Sequence, residues 1–216
     1  MLIDTNSPFY AAVAIGSTKV TGMVGRVDSE GAVNVLSYVA VSSADFIRKG
    51  RVYNVDKMTQ CLKNIRKRLE DQINCDIKQV YVALNCQGMR SITHIEERTF
   101  PQRITVQQEL IESLKADNRD KISHDQILID TLPQEYTMGA FSTIEPVGVM
   151  TDRIRAQFLN IVCNASAIEA IESCFRKAGL PIVRHTMAAD RLANVMTDEK
   201  ERSTGCAFVE MGSETT

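Results

Sequence analysis

The chain has 216 residues, enough for one large domain or two small ones with a sizeable core. Apolar residues make up 44% and charged residues 24%, and no apolar run approaches the roughly 18 residues of a membrane-spanning helix, so the composition is that of a soluble globular protein. A formal net charge of −2 argues against a general nucleic-acid binder, which would be basic.

Residues 10–15, YAAVAI, form a short apolar run that ends at Gly16-Ser17. Strands are expected at 19–27 and 33–41, joined by the turn DSEG. Val33, Val35, Ser37, Val39 and Val41 recur at period two and are mostly β-branched. A loop, SSADFIRKGRVYN, leads into a helix with Asn54 as its N-cap. Met58, Leu62, Ile65 and Leu69 form its apolar stripe, and Lys63, Arg66, Lys67 and Arg68 its solvated faces. The helix fades near Asn74-Cys75-Asp76, and VYVAL at 80–84 reads as a buried strand. The first segment is therefore a β-β-β-α-β unit.

From 86 to about 160 the pattern changes. SITHIEERTF alternates as a strand, and Thr105 with Gln108 gives a capping-box signal for a helix over roughly 105–118. DQILIDTL is a second strand, with Pro133 expected to limit it. STIEPVGVM is irregular, and RIRAQFLNIVC alternates again. These elements describe a small α+β module inserted into the first unit.

Ser166 and Glu169 then give a second capping box, and Ile168, Ile171, Cys174, Phe175 and Ala178 mark a buried helical stripe. Gly179 and Pro181 supply the stop. LPIVRHT reads as a strand, 187–196 as a short helix and 205–211 as a final strand, which continues the α/β alternation.

Candidate chemistry is sparse. Cysteines 61, 75, 86, 163, 174 and 206 are scattered without C-x-x-C spacing, and read as small core residues of a reducing cytosol. His94, His124 and His185 lack ligand spacing, no metal site is expected, and no catalytic constellation is visible. The one internal echo is VAIGST at 13–18 against VEMGSE at 209–214. Both place Gly-Ser at the end of a β-prone run, where successive backbone N–H groups can converge on phosphate oxygens.

A β-β-β-α-β unit opened by one such turn, with a second turn opening another half, resembles the actin/Hsp70/hexokinase-type nucleotide-binding fold. More specific segments resemble the FtsA family of bacterial cell-division proteins. These are KVTGMVGRV, RKGRVYNVDKMTQCL, VYVALNCQGM, LPQEYTM, EPVGV, FLNIVCN and RKAGLPI, and they occur in the family's order along nearly the whole chain.

The resemblance implies an α/β, actin-like (ribonuclease H-like) subdomain 1A at 1–85 and 161–203. It implies the inserted α+β module 1C, of SHS2 type, at 86–160, and the opening strand and turn of subdomain 2A at 204–216. The chain is thus expected to stop short of the second actin-like half. FtsA-like proteins bind ATP between two halves, polymerise, tether FtsZ through the second half and attach to lipid by a C-terminal amphipathic helix. Module 1C is the expected contact with a neighbouring subunit or with later division proteins. The expected location is the cytoplasm, at the inner membrane's division site for the longer parent.

On that reading Gly16, Ser17, Thr18, Lys19, Gly212, Ser213 and Thr215 would face phosphate, and Glu210 would be the carboxylate near Mg²⁺. Two departures weaken it. Ala14 stands where the family holds an acid, and Ser213 and Glu214 replace two glycines. A carboxylate 4 Å from a phosphate is opposed by about 4 kcal/mol at an effective dielectric near 20. Asp190 and Arg191 read as capping or surface residues. Two readings stay open, a non-enzymatic division scaffold with a decayed nucleotide site and a working, polymerising ATP-binding member. A pilus-assembly relative of the same architecture is a further alternative.

Overall fold

Period-two alternation sets the N-terminal sheet of the computed structural model, which describes residues 9–215. In β1 (Phe9–Ile15) Ala11, Val13 and Ile15 are buried, while Tyr10, Ala12 and Ala14 face outward. β2 (Lys19–Val27) and β3 (Val33–Ser42) follow as an antiparallel meander. A short hairpin, β4 (Ile47–Arg48) and β5 (Arg51–Val52), replaces the loop expected there.

Asn54 caps α1 (Val55–Ile73) by accepting the Lys57 N–H at 3.0 Å, and Asn74 ends it in the left-handed region at φ 53°. The predicted stripe of Met58, Leu62, Ile65 and Leu69 is buried. β6 (Val80–Leu84) then pairs parallel with β1. A parallel pair requires a crossover, and α1 supplies it.

The chain divides into two compact units, one running to Gln87 and resuming at Ser166, the other spanning Gly88–Ala165. In the second unit β7 (Arg90–Thr105), β8 (Gln126–Met138), β9 (Phe141–Thr143) and β10 (Met150–Asn164) form a sheet of order β7-β10-β8-β9. α2 (Gln108–Asp120) supplies Ile111 and Leu114 to a core with Tyr136, Ile154, Ala156 and Phe158. The Tyr136 and Phe158 rings meet edge to face, 6.2 Å between centroids.

Several expectations here are corrected. The Thr105–Gln108 capping box does not form: Thr105 is still paired in β7, and Gln107 stands at the N-cap without a side-chain bond. Pro133 does not end its strand, because it sits beside a bulge where the register shifts between Gln157 and Phe158. Pro101 is tolerated likewise in β7, an edge strand whose ladder is irregular between Thr99 and Ile104.

The first unit resumes at Ser166, within α3 (Ala165–Lys177); the helix starts one residue earlier, so Ser166 lies inside it rather than at its cap. Gly179, at φ 70°, ends the turn after it. β11 (Ile182–Met187) pairs parallel with β6 and completes a five-stranded sheet of order β11-β6-β1-β2-β3. α4 (Ala188–Met196) and α5 (Glu199–Thr204) follow.

α5 was not expected. Its signal is the capping box Asp198–Glu201, in which both reciprocal bonds form. The strand expected at 205–211, the opening of 204–216, is also corrected. It pairs with none of the described strands, and Val209 and Met211 stay exposed. The outermost residues of the expected ranges, 1–8 and 216, lie outside the described residues.

Candidate functional site

The parallel strands β1, β6 and β11 end level with one another, Ile15 opposite Leu84 and Leu84 opposite Met187. In open α/β sheets, ligands bind at the carboxyl ends of such strands. Both Gly-Ser turns are found there. A cleft of about 260 Å³ is lined by Gly16, Ser17, Thr18 and Lys19 from the first turn, and by Glu210, Gly212, Ser213 and Thr215 from the second.

The two turns share one geometry. The Gly16 N–H donates to the Lys19 carbonyl at 3.0 Å, and the Gly212 N–H donates to the Thr215 carbonyl at 2.8 Å. A Cβ added at either glycine would lie 3.0 Å from that same carbonyl oxygen, which is why each position is glycine. The glycine N–H groups are therefore spent inside their own turns. The N–H groups at the turn tips, on Ser17, Thr18, Ser213 and Glu214, are not engaged by the described residues.

The first turn is held from outside. Buried Ser43 donates its hydroxyl to the Gly16 carbonyl at 2.7 Å, and its N–H to the Thr18 carbonyl at 3.0 Å. Ser17 Oγ accepts the Gly50 N–H at 3.2 Å. Sequence reasoning missed Ser43 and the hairpin; the Lys49-Gly50 pair inside the presumed loop was the available signal. It also missed Asn85 and Ala188, which line the cleft from the ends of β6 and the start of α4. Position in the fold, rather than residue type, selects them.

The charges are distributed unevenly. Glu210 lines the cleft, and its Oε2 is buried without a hydrogen-bond partner among the described residues. Ala14 lines the same cleft with a methyl group. Glu214 is absent from the lining: its carboxylate turns away and accepts the Lys49 N–H at 2.7 Å. Asp190 and Arg191 pair with each other at 3.0 Å, and Arg191 also donates to Thr186 Oγ1, so neither reaches the cleft. No group of three or more acidic, histidine or cysteine side chains is arranged to hold a metal among the described residues.

A phosphate chain with a cation has a partial fit here. Two turn tips offer amides, and the orphaned oxygen of Glu210 points at the need for a positive partner. A second carboxylate, at position 14, is missing.

No protein-family model matches the chain. It is similar to curated proteins named cell division protein FtsA. That of Buchnera aphidicola subsp. Schizaphis graminum is 25% identical over 222 aligned positions, covering 100% of this chain and 51% of the relative. That of Porphyromonas gingivalis is 26% identical over 208, covering 94% and 43%. That of Escherichia coli is 25% identical over 222, covering 100% and 51%. The chain thus resembles FtsA along its whole length and spans about half the length of the relatives it matches. Among solved structures, a chain of the PilM-PilN type IV pilus biogenesis complex superposes with a TM-score of 0.51 at 15% identity, covering 86% of this chain and 51% of that one. That likeness is one of fold, and the fold is actin-like α/β.

Proposed function

We propose that this chain is the first actin-like portion, with its inserted module, of an FtsA-like cell-division scaffold. The whole protein would link the FtsZ ring to the cytoplasmic face of the membrane and recruit later division proteins through residues 88–165. The observation that carries this reading is similarity to FtsA that runs through both units rather than through the nucleotide-fold unit alone. Fold alone would not choose among scaffold, kinase and pilus protein. The test uses the full-length parent: co-sedimentation with FtsZ on lipid vesicles, and localisation to the division site. Failure of both sinks the proposal.

The second reading is that the cleft between the two turns binds ATP with Mg²⁺. It rests on the matched geometry of the Gly16 and Gly212 turns and on the unpartnered Glu210 oxygen. Ser17, Thr18 and Ser213 would hold phosphate by their backbone N–H groups, Lys19 and Thr215 would flank it, and Glu210 would hold the ion's water shell. Mg²⁺ would neutralise phosphate charge. Calorimetry of the full-length parent should detect Mg-ATP binding that Gly16→Asp abolishes, since a side chain there strikes the Lys19 carbonyl. No heat of binding in the unaltered parent means a decayed site on a retained scaffold.

A further inference from the structure

The β4–β5 hairpin turns at Lys49 and Gly50, with φ of 47° and 69°. These are the two left-handed residues of a type I′ turn, where the first position favours Asn, Asp or Gly. A lysine there is uncommon and marks a strained position. The tip is also held close to the end of β6: a Cβ on Gly50 would lie 2.1 Å from the Asn85 carbonyl oxygen.

Both N–H groups at this tip are used, each by a different Gly-Ser turn. Gly50 donates to Ser17 Oγ at 3.2 Å, and Lys49 donates to Glu214 Oε2 at 2.7 Å. Around the tip lies an open cleft of about 1070 Å³, which adjoins the one between the turns and shares Ser17, Thr18 and Ser213 with it. Arg48, Lys49 and Arg51 line it, and Glu214 is the acid in its lining. Arg48 is placed by the Tyr53 ring, its Cζ 5.5 Å from the ring centroid. Three cations around an outward amide suit an oxyanion, and the group found there is a carboxylate.

We propose that the tip of the β4–β5 hairpin is a binding site for a phosphate-type oxyanion, and that Glu214 is its built-in occupant. With Glu214 in place, the hairpin ties the second turn to the first. Phosphate displaces the carboxylate, takes the Lys49 N–H with Arg48 and Arg51 beside it, and releases the second turn. Glu214 is exposed, so the exchange needs no unfolding.

The test is an amide NMR titration of the 216-residue chain with inorganic phosphate. Glu214→Ala should shift the Lys49 amide by removing its acceptor, and phosphate should move it back. Phosphate should bind this variant about tenfold tighter than the unaltered chain, the factor expected when a competitor present about nine-tenths of the time is removed. Adding Arg48→Ala and Arg51→Ala should weaken that binding. The proposal fails if the Lys49 amide ignores Glu214→Ala, if phosphate leaves it unmoved in that variant, or if the two affinities are equal. Phosphate shifts at Gly16, Lys19, Gly212 and Thr215 with the Lys49 amide unmoved would also overturn it, while favouring the ATP reading of the neighbouring cleft.

Discussion

Asn118 and Asn160 exchange a pair of side-chain hydrogen bonds, 2.8 Å in each direction, with neither residue exposed. Each amide donates from Nδ2 and accepts at Oδ1, and Thr131 Oγ1 adds a donor to Asn160 Oδ1 at 3.0 Å. The pair ties the end of α2 to the middle of β10. Replacing one partner by Leu strands the other amide in the interior, at an expected cost of about 1–3 kcal/mol. The double replacement should cost less than the two singles summed. Denaturant unfolding of all three variants measures this, and strict additivity would show that the two amides do not act as a pair.

Gly22 lets α1 approach the sheet. A Cβ there would lie 2.3 Å from Ile65 Cγ2 and 2.9 Å from Leu69 Cδ1. Gly22→Val should destabilise the first unit by about 1–3 kcal/mol through overpacking. Gly22→Ala should cost less, because it adds one carbon to the contact rather than three. Thermal unfolding ranks the two, and a valine variant that melts like the unaltered protein would refute the close approach.

The six free cysteines should separate by reactivity. Cys75 and Cys206 are exposed, while Cys61, Cys86, Cys163 and Cys174 are buried. Burial pushes the Cys61 thiol up to about 11 and raises that of Cys174, which keeps both as unreactive thiols near neutral pH. Alkylation at pH 8 followed by peptide mass analysis should label Cys75 and Cys206 first. Rapid labelling of Cys61 in the folded chain would contradict the placement of the α1 stripe.

Asp28 governs the turn between β2 and β3. Its carboxylate accepts the N–H of Ala32 at 2.9 Å, the side-chain amide of Asn34 at 3.0 Å and the N–H of Glu30 at 3.0 Å. The Ala32 bond leads the causes that hold its pKa below the ordinary aspartate value. A depressed folded pKa means that the contribution is present above the unfolded value and lost as pH falls through the folded one. An NMR acid titration should place the Asp28 midpoint below that of ordinary aspartates, with the Ala32 amide moving in step. A midpoint at or above the ordinary value would contradict the turn.

Local chemistry explains which elements could be read in advance. Asn54 announces α1 because capping needs only the three residues that follow it. The Met58–Leu69 stripe is legible because one face meets one sheet. Pro133 misleads because its tolerance depends on a bulge opposite Phe158, 25 residues further along the chain. Strand 205–211 misleads for the related reason that β-propensity describes a surface ready to pair and cannot supply the partner. In the candidate site, the Gly-Ser echo identified both turns and Lys49-Gly50 signalled a hairpin, whereas Ser43, Asn85 and the contacts of the hairpin tip could be found only where the chain brings them together.

By itself the sequence determined the β-β-β-α-β opening, the inserted α+β module, the echo of Gly16-Ser17 in Gly212-Ser213 and the likeness to FtsA. All of these rest on periodicity, caps and short ordered segments. The tertiary structure decided that the glycine N–H groups are consumed within their own turns, that Glu210 faces the cleft without a partner among the described residues and that Glu214 faces away from it. Those outcomes depend on which donors and acceptors the folded chain brings within hydrogen-bonding distance. Lys49 and Glu214 are 165 residues apart, and only the folded chain places one against the other.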